Sequence, residues 1–215
     1  MRAPLVPESL RWDHNAHYHD YVMRQVHRRR KHSLSRVLDV GCGSGALARR
    51  LAAEAGEVDA VDVSAAMIEA ARSASENLVN VRWILGDVLT LDLGADRYDA
   101  VTAMASLHHL PLDAGLQRLA ALVAPGGVLV VIGLARPESA ADRVLRVASA
   151  VLSAGVGLMQ TASRRISPDS VMPVRDPAAT LQDIRAAAAR HLPGSTVRRL
   201  LFSRYSLVWR RLASA

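Results

Sequence analysis

Residues Val37, Leu38, Asp39, Val40, Gly41, Cys42, Gly43, Ser44 and Gly45 form the stretch that most restricts how this chain can fold. A short apolar run ending in glycines reads as a buried strand. Strands covered on both faces belong to parallel sheets flanked by helices. The three glycines, spaced two apart, let the backbone turn sharply and come close to a ligand. Leu47, Leu51 and Ala55 follow at helical spacing, with Gly56 closing that helix. Such a helix points its N-terminal N–H groups and positive dipole end at the turn, which suits an anion.

The pattern repeats downstream. Residues 58–63 read as a strand, and Ser64 is a good N-cap for a helix over 65–74. Residues 81–85 make a third strand stopped by Gly86, and 98–104 a fourth. A helix over 111–124 leads to a fifth strand over 127–133. Alternating strand and helix means a parallel sheet with helices on both faces. The remainder departs from that rhythm. A helix is expected over residues 9–31, ending in Arg28, Arg29, Arg30 and Lys31, cations suited to a helix C-terminus. Another is expected over 140–159, then a loop over 168–177 and a helix over 178–191. Residues 196–202 and 205–211 read as a closing antiparallel pair joined by Ser203 and Arg204, without the glycine a tight hairpin prefers.

Composition narrows the function classes. The 215 residues contain one cysteine, Cys42, which excludes a disulfide framework and any multi-cysteine metal site. A reducing cytoplasm is the expected compartment. Residues 1–12 carry no apolar run of signal-peptide type, and the near-apolar stretch 144–159 is too short for a membrane span and contains Arg146. The net charge is +7, nearly all of it from arginine. Basic charge invites a nucleic-acid partner, but only 4% of the residues are aromatic, which leaves little for base stacking. Nucleic acid is therefore disfavoured, and a small-molecule substrate or mere compositional bias is preferred.

Three strand ends carry the chemistry. Asp39 and the glycines close the first strand. Asp62, 21 residues beyond Gly41, closes the second, where a carboxylate can accept both hydroxyls of a ribose. Gly86 and Asp87 close the third, where a carboxylate can accept from an adenine amino group. Ligands of such sheets bind outside the carboxyl ends of the strands. Gly41, Gly43 and Ala46 also fit the dinucleotide fingerprint. Asp39 argues against that reading, because it adds negative charge beside a pyrophosphate, whereas a ligand with a cationic amine would welcome it.

Taken in order and spacing, residues 37–45, Asp62, Gly86, Asp87, Tyr98, Asp99, Ala100, Val101, Leu122, Pro125, Gly126 and Gly127 resemble the class I S-adenosylmethionine-dependent methyltransferases. The segments Trp12 to His19 and Arg204 to Trp209 resemble a bacterial small-molecule subgroup. The resemblance implies an α/β, Rossmann-like seven-stranded sheet, mostly parallel, with its last strand antiparallel and helices on both faces. It implies a single domain in which residues 1–33 form an N-terminal helical lid on a catalytic unit, residues 34–215. Asp39 and Gly41 would lie near the methionine amino and carboxylate groups, with Gly43 and Gly45 shaping the turn. Asp62 would hold the ribose, Asp87 and Val88 the adenine, and Val63 and Met67 would complete the cofactor wall, Met67 over the adenine. On the lid helix, Tyr18 would reach the cofactor carboxylate and Tyr21 the substrate.

Methyl transfer is an in-line displacement, so alignment of nucleophile and donor can supply up to about 7–11 kcal/mol. A general base adds about 10²–10⁴-fold and serves mainly protonated nucleophiles. The candidates follow the fourth strand: Ser106, Leu107, His108 and His109. Adjacent residues point different ways, so one histidine is expected to face the cleft. His108 is taken as the base and His109 as a backbone tie. No metal is expected. The resulting expectation is S-adenosylmethionine-dependent methylation of a small molecule by a monomer or homodimer. A narrower version is an aromatic natural product such as the indole C3 of a tryptophan-containing cyclodipeptide, with a tyrosine–histidine pair removing the ring N–H proton. The alternatives are a nucleic-acid-modifying methyltransferase and a non-catalytic S-adenosylmethionine-binding module.

Overall fold

A computed structural model describes residues 16–28, 34–137, 177–201 and 204–213. The expected helix over 140–159, nearly all of the loop over 168–177 and both ends of the N-terminal helix lie outside these residues.

In chain order the elements are α1 (Ala16–His27), β1 (Leu34–Val40), α2 (Ala46–Ala52), β2 (Ala55–Asp62), α3 (Ala65–Ser73), β3 (Val81–Leu85), β4 (Tyr98–Met104), α4 (Leu112–Leu122), β5 (Val123–Leu134), α5 (Leu181–His191), β6 (Thr196–Arg199) and β7 (Arg204–Arg210). The strands form one seven-stranded sheet in the order β3-β2-β1-β4-β5-β7-β6. Strands β1 to β5 pair in parallel, and β7 lies antiparallel between β5 and β6. The winding reverses between β1 and β4, the place where sheets of this kind open a ligand crevice.

Two boundaries differ from expectation. Gly56 does not end a helix; it lies inside β2, because Ala55 pairs with Leu34 and extends the strand backwards. A side chain there would put its Cβ 2.9 Å from the Ser35 carbonyl, so glycine permits that early pairing. The β6–β7 connection is also longer than two residues. Strand β6 stops at Arg199, and Leu200 N–H donates to the Arg204 carbonyl at 2.8 Å.

Successive residues of a strand face opposite sides, and each side has its own core. Leu38, Val61, Val101, Leu129, Val131 and Leu207 pack with α4 and α5. Val37, Val58, Ala100, Val128, Val130 and Ile132 pack with α1, α2 and Ile68 of α3. Helix α1 buries Tyr18, Val22 and Val26, one per turn, together with Met23. The Asp20–Arg50 ion pair and a His27–Glu54 contact hold it alongside α2. The described part of the segment expected to be a lid is thus a layer helix of the sheet. No described helix is long and apolar enough to cross a membrane.

One charge sits deep in the first core. Asp59 on β2 is 3% exposed and takes a bidentate contact from Arg82 on β3, Nε at 2.8 Å and Nη2 at 2.9 Å. The Tyr98 hydroxyl donates to the same carboxylate at 2.6 Å. Burial, reinforced by that hydrogen bond, holds the Tyr98 phenol protonated well above the usual range. A buried carboxylate stays ionised only when fully paired. Tyr98→Phe removes a hydrogen bond to a charged group and is expected to cost about 1.5–3 kcal/mol, read from urea denaturation as a lower midpoint at unchanged slope.

Candidate active site

The glycine turn after β1 is built by left-handed backbone at Gly41, Gly43 and Gly45, with φ of +69°, +54° and +81°. Gly41 and Cys42 N–H groups both donate to the Val61 carbonyl, at 2.8 and 3.0 Å, which fastens the turn to the end of β2. Asp62 fastens it again. Its Oδ2 accepts from Gly43 N–H and its Oδ1 from Ser64 N–H, each at 2.9 Å. An ionised carboxylate has about four acceptor positions, so each oxygen keeps one for a ligand. At Gly45, a Cβ would lie 2.4 Å from the Trp83 ring, so the indole of β3 closes directly over the turn.

Asp39 lies beneath. It is 2% exposed and accepts from the Thr102 hydroxyl at 2.7 Å. Burial, with Asp62 nearby, pushes its carboxyl up to about 7 against the pull of Thr102. The glycine turn therefore rests on two carboxylates that repel each other.

The third strand end adjoins the second: Gly86 N–H donates to the Asp62 carbonyl at 2.9 Å. Asp87 Oδ1 accepts from Leu89 N–H at 2.9 Å. Arg118 on α4 holds this loop from behind, donating Nε to the Val88 carbonyl at 2.9 Å and Nη2 to the Leu91 carbonyl at 2.5 Å. Val88 and Met67 are buried, whereas Val63 is 73% exposed at the strand edge.

The fourth strand end folds against the first. A Cβ on Gly41 would lie 2.3 Å from Ser106 Cβ, so glycine is needed for the approach. Ser106 Oγ donates to the Val40 carbonyl at 2.7 Å. Its neighbour Ala105 adopts φ +52°, a conformation costly for a side-chain residue. A 3-10 turn, Leu107–His109, follows, closed by His109 N–H to the Ser106 carbonyl at 3.0 Å. Both histidines line a cavity of about 320 Å³ with Leu107, Leu134, Ile184 and Tyr205. Their rings lie 4.1 Å apart. One histidine was expected to face the cleft; in the structure both border this cavity.

The tyrosines of α1 are committed elsewhere. Tyr18 donates to the Leu201 carbonyl at 3.0 Å, beside the β6–β7 connection. Tyr21 donates to Ser206 Oγ on β7 at 3.2 Å. Tyr21 packs with the second core, while the cavity borders the first. The structure does not bring Tyr21 and His108 together as the expected pair.

Three comparisons bear on this arrangement. A family model described as a methyltransferase domain matches residues 37–127. An uncharacterized methyltransferase of Mycobacterium tuberculosis (strain ATCC 25618 / H37Rv) is 33% identical over 201 residues, covering 93% of this chain and 96% of that one. The chain belongs to the class I S-adenosylmethionine-dependent methyltransferases. A ubiquinone biosynthesis O-methyltransferase of Coxiella burnetii (strain RSA 493 / Nine Mile phase I) is 36% identical over 111 residues, 51% of this chain and 46% of that protein. The N-methyltransferase NodS from Bradyrhizobium japonicum WM9, solved with S-adenosyl-L-homocysteine, shares the fold at a TM-score of 0.62 and 18% identity, over 93% of this chain and 89% of NodS.

Within this methyltransferase, Trp83, Arg118 and Tyr205 belong to the site without a role read from sequence, whereas Ser106 stands among the candidates after the fourth strand. The pH response of Asp39 gives a test. Its carboxyl is raised from 3.8 to about 7 in the fold, so its contribution to stability is fully present below about pH 4 and is lost as pH rises through 7. Asp39→Asn removes that loss. The melting temperature of the variant, relative to the parent, is expected to be higher near pH 8 than near pH 5. Equal differences at the two pH values would refute the assignment.

Proposed function

We propose that this methyltransferase transfers a methyl group from S-adenosylmethionine to a small, largely apolar molecule held in the cavity behind His108. The observation that carries the proposal is the Gly41–Ser106 approach. It sets the glycine turn of the cofactor side directly against the turn whose histidines line the cavity.

The residues present fit the cofactor. The glycine turn lies between Asp39 and Asp62 at the carboxyl edge of the sheet, Asp62 retains acceptor positions for ribose hydroxyls, and Asp39 with Asp62 offers negative charge to an α-ammonium. We assign Asp39 and Gly41 to the methionine end, Gly43 and Gly45 to the turn, Asp62 and Val63 to the ribose side, and Met67, Asp87 and Val88 to the adenine. The free Oδ2 of Asp87 suits the adenine amino group, since Oδ1 is used by Leu89. Bound there, the cofactor supplies an electrophilic methyl group on a sulfonium.

The chain's own residues then orient the acceptor and manage its proton. Leu107, Leu110, Leu134 and Ile184 give the cavity apolar walls. His108 accepts the proton of an O–H or N–H nucleophile as the methyl bond forms. At about 320 Å³ the cavity stands at the small end of ligand pockets, suited to a molecule of one or two rings or to one end of a larger one. An indole presented from a tryptophan-containing cyclodipeptide is one such acceptor.

Calorimetry with S-adenosyl-L-homocysteine tests the cofactor half. Micromolar binding, about −8 kcal/mol, is expected, and Asp62→Ala is expected to weaken it at least tenfold. Labelled methyl donor offered with phenols, indoles, tryptophan cyclodipeptides and RNA tests the other half. Incorporation into a small molecule that falls about 10²–10⁴-fold in His108→Ala, with homocysteine-analogue binding retained, supports the proposal. Incorporation into RNA alone, or none into any acceptor, overturns it.

A further inference from the structure

The tyrosine that the fold delivers to the cavity is Tyr205, near the chain's end. It lies on β7 directly opposite Gly133 of β5, and it lines the cavity with His108 and His109. Tyr205 is 2% exposed. Its hydroxyl has no hydrogen-bond partner among the described residues, and burial alone holds the phenol protonated far above its usual range. A phenol with a buried ring normally finds a partner for its hydroxyl, and the cavity is where this one can meet it.

Gly133 shows that the placement is built rather than incidental. A Cβ there would lie 2.4 Å from both Cζ and Oη of Tyr205. The outer end of the ring therefore lies flat across the glycine, next to the cavity wall at Leu134. Glycine inside a strand marks a site of close approach. Any larger residue would drive the phenol out of this position.

We infer that Tyr205 is a substrate-binding residue whose hydroxyl donates a hydrogen bond to an oxygen or nitrogen acceptor on a small apolar substrate. The inference rests on the proposed function and names the substrate class for the same cavity: a compact apolar, aromatic-sized molecule with one acceptor atom at the Tyr205 end. Selectivity follows from the chemistry. A substrate lacking the acceptor leaves the phenol unpaired, and sites that hydrogen-bond a polar group reject analogues without it.

The test uses the full chain saturated with S-adenosyl-L-homocysteine and two probes of one shape, 1-naphthol and 1-methylnaphthalene, titrated by calorimetry. The parent protein is expected to bind 1-naphthol about fivefold more tightly, the size of one neutral hydrogen bond. Tyr205→Phe keeps the ring and is expected to abolish that preference while leaving 1-methylnaphthalene binding unchanged. Gly133→Ala keeps the hydroxyl but displaces it, and is expected to lose the preference as well. An unchanged preference in Tyr205→Phe, or no preference in the parent, overturns the inference. So does failure of both probes to bind. In each of these cases the proposed function survives as long as S-adenosyl-L-homocysteine binds; failure of that compound itself overturns the proposed function.

Discussion

The approach of Ser106 to Gly41 is the contact on which the site depends. It occurs where the sheet reverses its winding, between β1 and β4, and it is possible only because Gly41 has no side chain. Two strand ends that belong to opposite halves of the sheet become one surface. On one side stands the glycine turn, its N–H groups tied to Val61, Asp62 and Cys42. On the other stands the 3-10 turn with two histidines facing a cavity. Ala105, held at φ +52°, lies at the joint. Strain of that kind persists where the surroundings over-determine the backbone, and here the Val40 carbonyl and the Ile132 carbonyl both hold it, through Ser106 Oγ and Ala105 N–H.

Electrostatics gives the turn its polarity. Asp39 is buried and within reach of Asp62's charge, so its ionisation is opposed in the free protein. A nearby cation relieves that opposition. The same pair that weakens the free fold at neutral pH thus favours a positively charged ligand group, and the dinucleotide alternative meets the reverse condition. Asp59 shows the contrast. Its charge is equally deep but is answered inside the fold by Arg82 and Tyr98, so it holds strands together and leaves nothing for a ligand.

The sheet was legible because its signals are local. The apolar run ending in the glycines after Val37, the N-cap Ser64, and the loop carboxylate Asp87 each leave their mark within a few residues of themselves. Ser64 does cap α3, accepting from Met67 N–H. What escaped sequence reasoning depends on tertiary placement. The end of α2 was misplaced because Gly56 reads as a helix stop, while the pairing of Ala55 with Leu34 is a long-range event. That both histidines border one cavity depends on the local turn Leu107–His109 and on Leu134, Ile184 and Tyr205 coming from distant parts of the chain, which four residues do not reveal. Arg118 reads as an ordinary charged position on α4, and nothing near it in the chain says that its guanidinium holds the Val88 and Leu91 carbonyls.

The tyrosine question follows the same logic. Tyr18 and Tyr21 drew attention because they are close together on a helix expected to cover the site. Both hydroxyls are instead used to dock α1, against Leu201 and Ser206. Ser206 and Tyr205 are adjacent on β7, and adjacent strand residues face opposite sides of a sheet. Tyr21 therefore ends on the face shared with α1 and α2, whereas Tyr205 ends on the face shared with α4 and α5, where the cavity lies. The antiparallel insertion of β7 beside β5 makes that possible: it returns the chain so that Arg204 pairs with Leu134 and Tyr205 with Gly133, at the carboxyl edge of the parallel strands. A residue near the chain's end thus comes to stand opposite the histidines that follow β4. The last strand accordingly does two things at once, completing the sheet and carrying a phenol to the wall of the cavity.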